Sequence, residues 1–194
     1  MKKKLMTLLL ALVMAVSAMA VPAAAVDTTG RFTDVTDEET LLAVESLRLL
    51  GALDGYGDGT FRPNDPVTRA QFAAIACRFE ELTEGTKTFS DVPADHWAAK
   101  YISYAAERGW VGGFTDGTFR PNNYITRAQV AAVTCRLLER NADEKYIEKH
   151  FDDLTYTFSD MTEQHFAYWY ALEASNGHDY TKKADKETWS SLLK

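Results

Sequence analysis

Cysteine is scarce in this chain, with two in 194 residues, so a disulfide-stapled scaffold is excluded. Proline occurs only five times and glycine eleven, too few for a collagen-like or Pro/Gly-rich disordered polymer. Basic side chains are also in deficit: 21 Lys and Arg stand against 28 Asp and Glu, a net charge of −7. A nucleic-acid partner is therefore not expected, because affinity for a phosphate backbone rests on a basic face. No apolar run after residue 25 is long enough to cross a bilayer. What remains, 46% hydrophobic and 25% charged, is the composition of an ordinary globular protein.

The N-terminus carries Lys2, Lys3 and Lys4 without an acid, then an almost wholly apolar stretch from Leu5 to Ala20, then Ala23-Ala24-Ala25. Basic head, apolar middle and small-residue exit are the parts of a secretory leader, with cleavage expected after Ala25 and Ala18-Met-Ala20 as the alternative site. A single membrane anchor is the rival reading, but Pro22 ends the apolar stretch short of the roughly 20 residues a span requires. The chain thus divides into a leader (1–25), a first repeat (26–83), a second repeat (84–143), and a linker with a degenerate third repeat (144–194).

The repeats are legible as self-similarity. Gly-Thr-Phe-Arg-Pro-Asn at 59–64 recurs at 117–122, and Thr68-Arg-Ala-Gln71 recurs as Thr126-Arg-Ala-Gln129, both shifted by 58. Phe32-Thr-Asp-Val35 matches Phe89-Ser-Asp-Val92 and, more loosely, Phe158-Ser-Asp-Met161. His96-Trp97-Ala98 is mirrored by His165-Phe166-Ala167, after which the third copy loses the Gly-Thr-Phe-Arg-Pro-Asn loop altogether.

Each full repeat predicts helix, loop, helix. The first helix should open on a Thr36-x-x-Glu39 capping box and stop at Gly51; its counterpart should run over about 95–109. The second helices predict Thr68 and Thr126 as N-caps, with Gln71 and Gln129 completing the boxes. Val67 and Phe72 should form a hydrophobic staple. Phe72, Ile75, Ala76 and Phe79 would form the buried stripe, with Val130, Val133, Thr134 and Leu137 opposite them in the repeat. Arg69 and Arg127 fit this scheme poorly, because a cation in the first helical turn meets the positive end of the helix dipole. Two readings stand: a site for a carboxylate or phosphate at free helix amides, or a structural arginine paired with an acid such as Asp65 or Asp34.

These motifs, in this order and twice over, resemble the S-layer homology domain, a repeat of bacterial surface proteins. The resemblance implies an all-α fold of helix-loop-helix repeats packed as a pseudo-threefold bundle. It also implies noncovalent binding, in grooves between repeats, to an anionic secondary cell-wall polysaccharide that often bears pyruvate ketals. The family's Thr-Arg-Ala-Glu motif falls on Thr68-Arg69-Ala70-Gln71 and Thr126-Arg127-Ala128-Gln129, and in the family its arginine meets the ketal carboxylate. Trp97 is either a platform for a sugar ring or a core aromatic. In the third copy Lys182 takes the arginine's place without its two-pronged geometry, so a groove there should be weak or absent. That segment is expected mainly to complete a helical core through Phe166, Trp169, Tyr170, Leu172 and Trp189, and 141–153 to be a solvated linker helix.

Other chemistry finds little support. His96, His150, His165 and His178 show no zinc-motif spacing, so no metal is expected. Asp54-x-Tyr56-x-Asp58-Gly59 reads as a turn rather than a calcium loop. Cys77 and Cys135 hold equivalent places, as a disulfide or as two buried thiols. No catalytic residue and no cofactor is implied. The expectation is a secreted wall-binding protein; the alternatives are a structural subunit pairing with other surface-layer proteins, or a small secreted enzyme acting on wall glycans.

Overall fold

A computed structural model describes residues 32–193, so the expected leader lies outside the described residues. The chain forms two compact units, Met1–Asn64 and Asp65–Lys194. The division falls inside the first sequence repeat, whose second helix belongs with the second repeat.

In the first unit, helix α1 (Glu38–Leu49) is capped by Asp37, whose carboxylate accepts from Thr40 N at 2.7 Å. The cap is thus one residue later than the expected Thr36 box. Asp is a somewhat better N-cap than Thr, and here it is Asp37 that takes the extended backbone an N-cap requires. Gly51, at φ 72°, ends the helix as expected. Phe32, Val35, Val44 and Leu53 form the core beneath it.

The second unit holds α2 (Arg69–Cys77), α3 (Ala99–Glu107), α4 (Arg127–Leu137), α5 (Glu144–Lys149), a 3-10 turn (Phe151–Asp153) and α6 (Tyr168–Ser175). An antiparallel hairpin of β1 (His178–Lys183) and β2 (Lys186–Leu192) closes the chain. Helix α2 packs on α3, and α4 packs on α6. The two pairs are equivalent: Cys77 Sγ donates to Tyr101 O at 3.3 Å, and Cys135 Sγ to Tyr170 O at 3.6 Å. The packing module is therefore offset from the sequence repeat. It joins the second helix of one repeat to the first helix of the next.

This close pairing alters the expected stripe. On α2 the buried residues besides Arg69 are Ala70, Ala73, Ala74, Ala76 and Cys77, while Phe72, Ile75 and Phe79 are only half-buried, and Val67 of the expected staple is exposed. Small side chains take the closest contacts because larger ones would hold the helices apart. Both cysteines are free thiols within this packing.

The all-α expectation fails at the C-terminus. Where the third copy should supply a second helix, β2 alternates Glu187 and Trp189 inward with Lys186, Thr188 and Ser190 outward. That period of two suits a strand and denies a helix its apolar face. Leu172 and Trp189 do enter the core, as expected, with Ile147 and Tyr168. Phe166 does not, being 59% exposed. The linker is also less solvated than expected. Asp143 caps α5 through Tyr146 N and also accepts from Trp189 N at 3.1 Å, which draws Ile147 into the core. Among the described residues no helix is long and apolar enough to cross a membrane.

Candidate functional site

The Gly-Thr-Phe-Arg-Pro-Asn loop is built the same way twice. Asp34 accepts from Phe61 N and Arg62 N at 2.8 and 2.7 Å; Asp91 accepts from Phe119 N and Arg120 N at 2.7 Å each. The Phe61 amide, above all, holds the Asp34 carboxyl below its usual value. The clamp holds Arg62 and Arg120 in left-handed backbone, at φ 62° and 58°. Asp116 then accepts from Thr118 Oγ1 at 2.6 Å and Arg120 Nη2 at 2.9 Å, which holds its carboxyl at about 2, as the matching Thr60 and Arg62 contacts do for Asp58. Gly55 and Gly113 sit against the rings of Phe32 and Phe89, leaving no room for a Cβ.

The second of these loops clasps α2. Arg69 Nε donates to Phe119 O at 2.8 Å and Nη2 to Gly112 O at 3.0 Å, with the guanidinium 4.5 Å from the Phe119 ring centre. Burial pulls the Arg69 pKa below its ordinary value, and the nearby Arg120 charge adds to this. The helix amides are engaged too: Arg69 N donates to Asn123 O at 2.8 Å and Ala70 N to Pro121 O at 3.0 Å. This corrects the acid-paired reading of Arg69 and removes the free helix amides from the anion reading. The partners of Arg69 are carbonyls rather than Asp65 or Asp34, and the amides beside it are not free for an anion. Both capping boxes form as expected, with Thr68 and Thr126 accepting from Gln71 N and Gln129 N at 3.2 Å.

Arg127 is in the opposite state. It is exposed, and neither its guanidinium nor the amides of Arg127 and Ala128 have a hydrogen-bond or ion-pair partner among the described residues. The loop that would clasp it is the one missing from the third copy. Lys182, expected at the matching helix start, instead lies within β1, where its ammonium donates to the carbonyl of Glu139. With no helix N-terminus at Lys182, a third groove has no basis there, in line with the expectation that it would be weak or absent.

A cavity of about 220 Å³ opens beside the clasp, lined among others by Arg69, Trp110, Gly112, Gln129, Arg136 and Phe166. Arg136 donates to Trp110 O at 3.3 Å and lies 5.0 Å from the Tyr170 ring centre. Neither arginine has an ion-pair partner among the described residues, although the charge of Asp91 is felt at Arg69, so two guanidinium groups line one cavity without a carboxylate in contact. Phe166 is exposed because His165 Nδ1 turns back to accept from Ala167 N at 3.3 Å, leaving the next ring outside. His96 does the same to Ala98 N at 3.1 Å, and Trp97 is accordingly 56% exposed, which rules out the core role. Trp97 lies outside this cavity's lining. The sequence reading did not single out Arg136 and gave Phe166 a core role, although the match of His165-Phe166-Ala167 to His96-Trp97-Ala98 put Phe166 in the place of Trp97.

These features define a helical repeat protein in which the second helix of one repeat is clasped by the loop of the next. A sequence model of the S-layer homology domain matches residues 31–73 and 88–131, and through these two repeats the chain belongs to that family. It is similar to Cell surface glycoprotein 1 of Acetivibrio thermocellus, 30% identical over 155 residues, 74% of this chain and 6% of the relative. It is likewise similar to the Cellulosome-anchoring protein of the same organism, 42% identical over 94 residues, 45% of this chain and 21% of the relative. The Surface layer protein of Brevibacillus choshinensis is 34% identical over 143 residues, 70% of this chain and 12% of the relative. The chain thus spans between 6% and 21% of the length of these relatives. Family and relatives make it a secreted, cell-wall-associated protein of the cell surface.

Proposed function

We propose that the chain anchors noncovalently to the cell envelope by binding an anionic secondary cell-wall polysaccharide, the pyruvate-ketal type that the family resemblance implies. The observation that carries this reading is the cavity in which Arg69 and Arg136 stand without a carboxylate. Arg69 already donates through Nε and Nη2 to carbonyls, and Arg136 through Nε and Nη1 to Tyr170 Oη and Trp110 O, so each offers a carboxylate its remaining N–H groups, and such charge-assisted bonds contribute about 1.5–3 kcal/mol each. Phe166 at the same cavity offers an apolar face to a sugar ring, and Gln129 a neutral amide. Arg127, with its unclaimed amides, is a second carboxylate contact, and Trp97 a separate exposed ring. Thr68, Thr126 and Gln71 serve by holding the helix starts, while Lys182 has no part. No catalytic step is assigned to any residue.

Sedimentation with wall sacculi tests the proposal. Co-pelleting that vanishes after mild acid strips the ketals supports the glycan, and unchanged pelleting argues against it. A second reading, a subunit docking on other surface proteins, is favoured by one observation: the start of α4 lacks the clasping loop that α2 has. Sedimentation velocity on the wall-free protein separates the two, since only the second requires assembly. Release of sugar in a wall-hydrolysis assay would favour the enzyme reading instead.

A further inference from the structure

The hairpin that replaces the last helix carries a buried cluster for which anchoring has no use. Glu173 at the end of α6, His178 at the head of β1 and Glu187 in β2 are 5%, 9% and 1% exposed. One ligating atom from each lies within 4.8 Å of the others. Arg140 reaches into the cluster, with Nη2 2.8 Å from Glu173 Oε1 and Nε 2.9 Å from Glu187 Oε1. Two carboxylates thus face one guanidinium in the interior, where carboxylates are costly unless fully paired, and His178 Nε2 lies 3.5 Å from Glu173 Oε1. The second oxygen of Glu173, Oε2, is buried and has no hydrogen-bond partner.

The histidine is oriented for more than packing. His178 Nδ1 lies 2.7 Å from Asn176 O, and since a carbonyl can only accept, Nδ1 carries a proton. Arg140 Nη2 lies 2.8 Å from Nε2, and since a guanidinium can only donate, Nε2 accepts there through its lone pair, on the side of the ring that faces Glu173 Oε1. The ring is held in place by stacking on Trp189 at 3.5 Å and 14°. A carbonyl fixing one nitrogen while the other faces acidic oxygens is how metal-binding imidazoles are oriented.

We propose that Glu173, His178 and Glu187 bind one divalent transition-metal ion, zinc or a cation of similar preference, in exchange for the Arg140 guanidinium. A charge of +2 neutralises both carboxylates, and the unpartnered Glu173 Oε2 supplies a fourth donor. An imidazole among so few ligands selects against calcium and magnesium, which take more oxygens or keep their waters. Arg140 has a way out, because its side chain is partly exposed and already lies over the Tyr180 ring at 4.1 Å. The ion would tie α6 to both strands of the hairpin. The missed signal was spatial, since the three ligands come from three elements.

The test is zinc titration of the chelator-treated full chain by calorimetry, with melting and NMR of the histidine rings. One zinc per chain, a raised melting temperature and a moved His178 Nε2 resonance are expected. Arg140→Ala should tighten binding by removing the competing cation. His178→Gln should weaken it more than about 100-fold, beyond what loss of a supporting contact causes. The proposal is overturned if wild type and Arg140→Ala, both folded by circular dichroism, bind no zinc, or if His178→Gln binds as wild type does. Should His178→Gln fail to fold, the wild-type NMR decides: saturation with zinc that moves His150 and leaves His178 Nε2 unmoved also overturns it.

Discussion

The guanidinium of Arg69 donates to the carbonyl of Phe119 at 2.8 Å, 50 residues further along the chain, while the equivalent Arg127 meets nothing comparable. The same tetrapeptide position is thus a structural clasp in one repeat and an open cation in the next. Arg69→Ala should lower stability by about 2–3 kcal/mol, because Phe119 O and Gly112 O lose a charged donor in a largely buried place. Arg69→Lys should recover little, since an ammonium cannot reach two carbonyls in the same fork. Arg127→Ala should stay within about 0.5 kcal/mol of wild type. Urea unfolding measures all three. Equal losses at 69 and 127 would refute the asymmetry.

That asymmetry also orders the binding variants. Arg127→Ala and Arg136→Ala should each reduce sacculus co-pelleting, and Arg127→Ala should do so with its melting temperature intact. If Arg127→Ala pellets like wild type, its carboxylate contact is wrong.

Gly113 and its neighbour Gly112 offer a paired steric test. A Cβ at Gly113 would meet the Phe89 ring and Thr118 O, whereas one at Gly112 meets nothing within 4 Å. Gly113→Ala should cost about 1–3 kcal/mol and Gly112→Ala within about 0.5. Thermal melts separate them, and similar melting temperatures would contradict the close approach.

The loop aspartates set an acid limit. Asp58 and Asp116 are held at about 2 in the folded chain against an ordinary value of 3.8. A depressed folded value means that their contribution is fully present above 3.8 and is lost as pH falls through the folded value near 2. Stability should therefore decline across that window, and Asp116→Asn should flatten the decline. A variant that keeps the wild-type acid slope would show that these carboxylates are not responsible.

Burial pushes both the Cys77 and Cys135 thiols up to about 12. Neither should react with an aromatic disulfide reagent at mildly alkaline pH while the chain is folded, and both should react at once in urea. A non-reducing mass two hydrogens short would show a disulfide instead.

Much of this was written along the chain. The loops, the capping boxes and the helix stop at Gly51 depend on contacts between near neighbours, so residue type and spacing announce them. The clamps of Asp34 and Asp91 were not read there: their partners stand 27 and 28 positions further along, and the sequence offered Asp34 only as a partner for Arg69.

By itself the sequence determined the repeats, their helix starts and the family, since these rest on local backbone preferences and on motifs kept in order. Only the tertiary structure decided which arginine is clasped and which is open, that Phe166 and Trp97 face outward, and that His178 meets two glutamates. It also decided that the last element is a hairpin, because Glu187 and Trp189 gain their inward places from what α5, α6 and Arg140 put opposite them. Which side chains end up together depends on how distant segments pack, and no spacing along one strand of text encodes that.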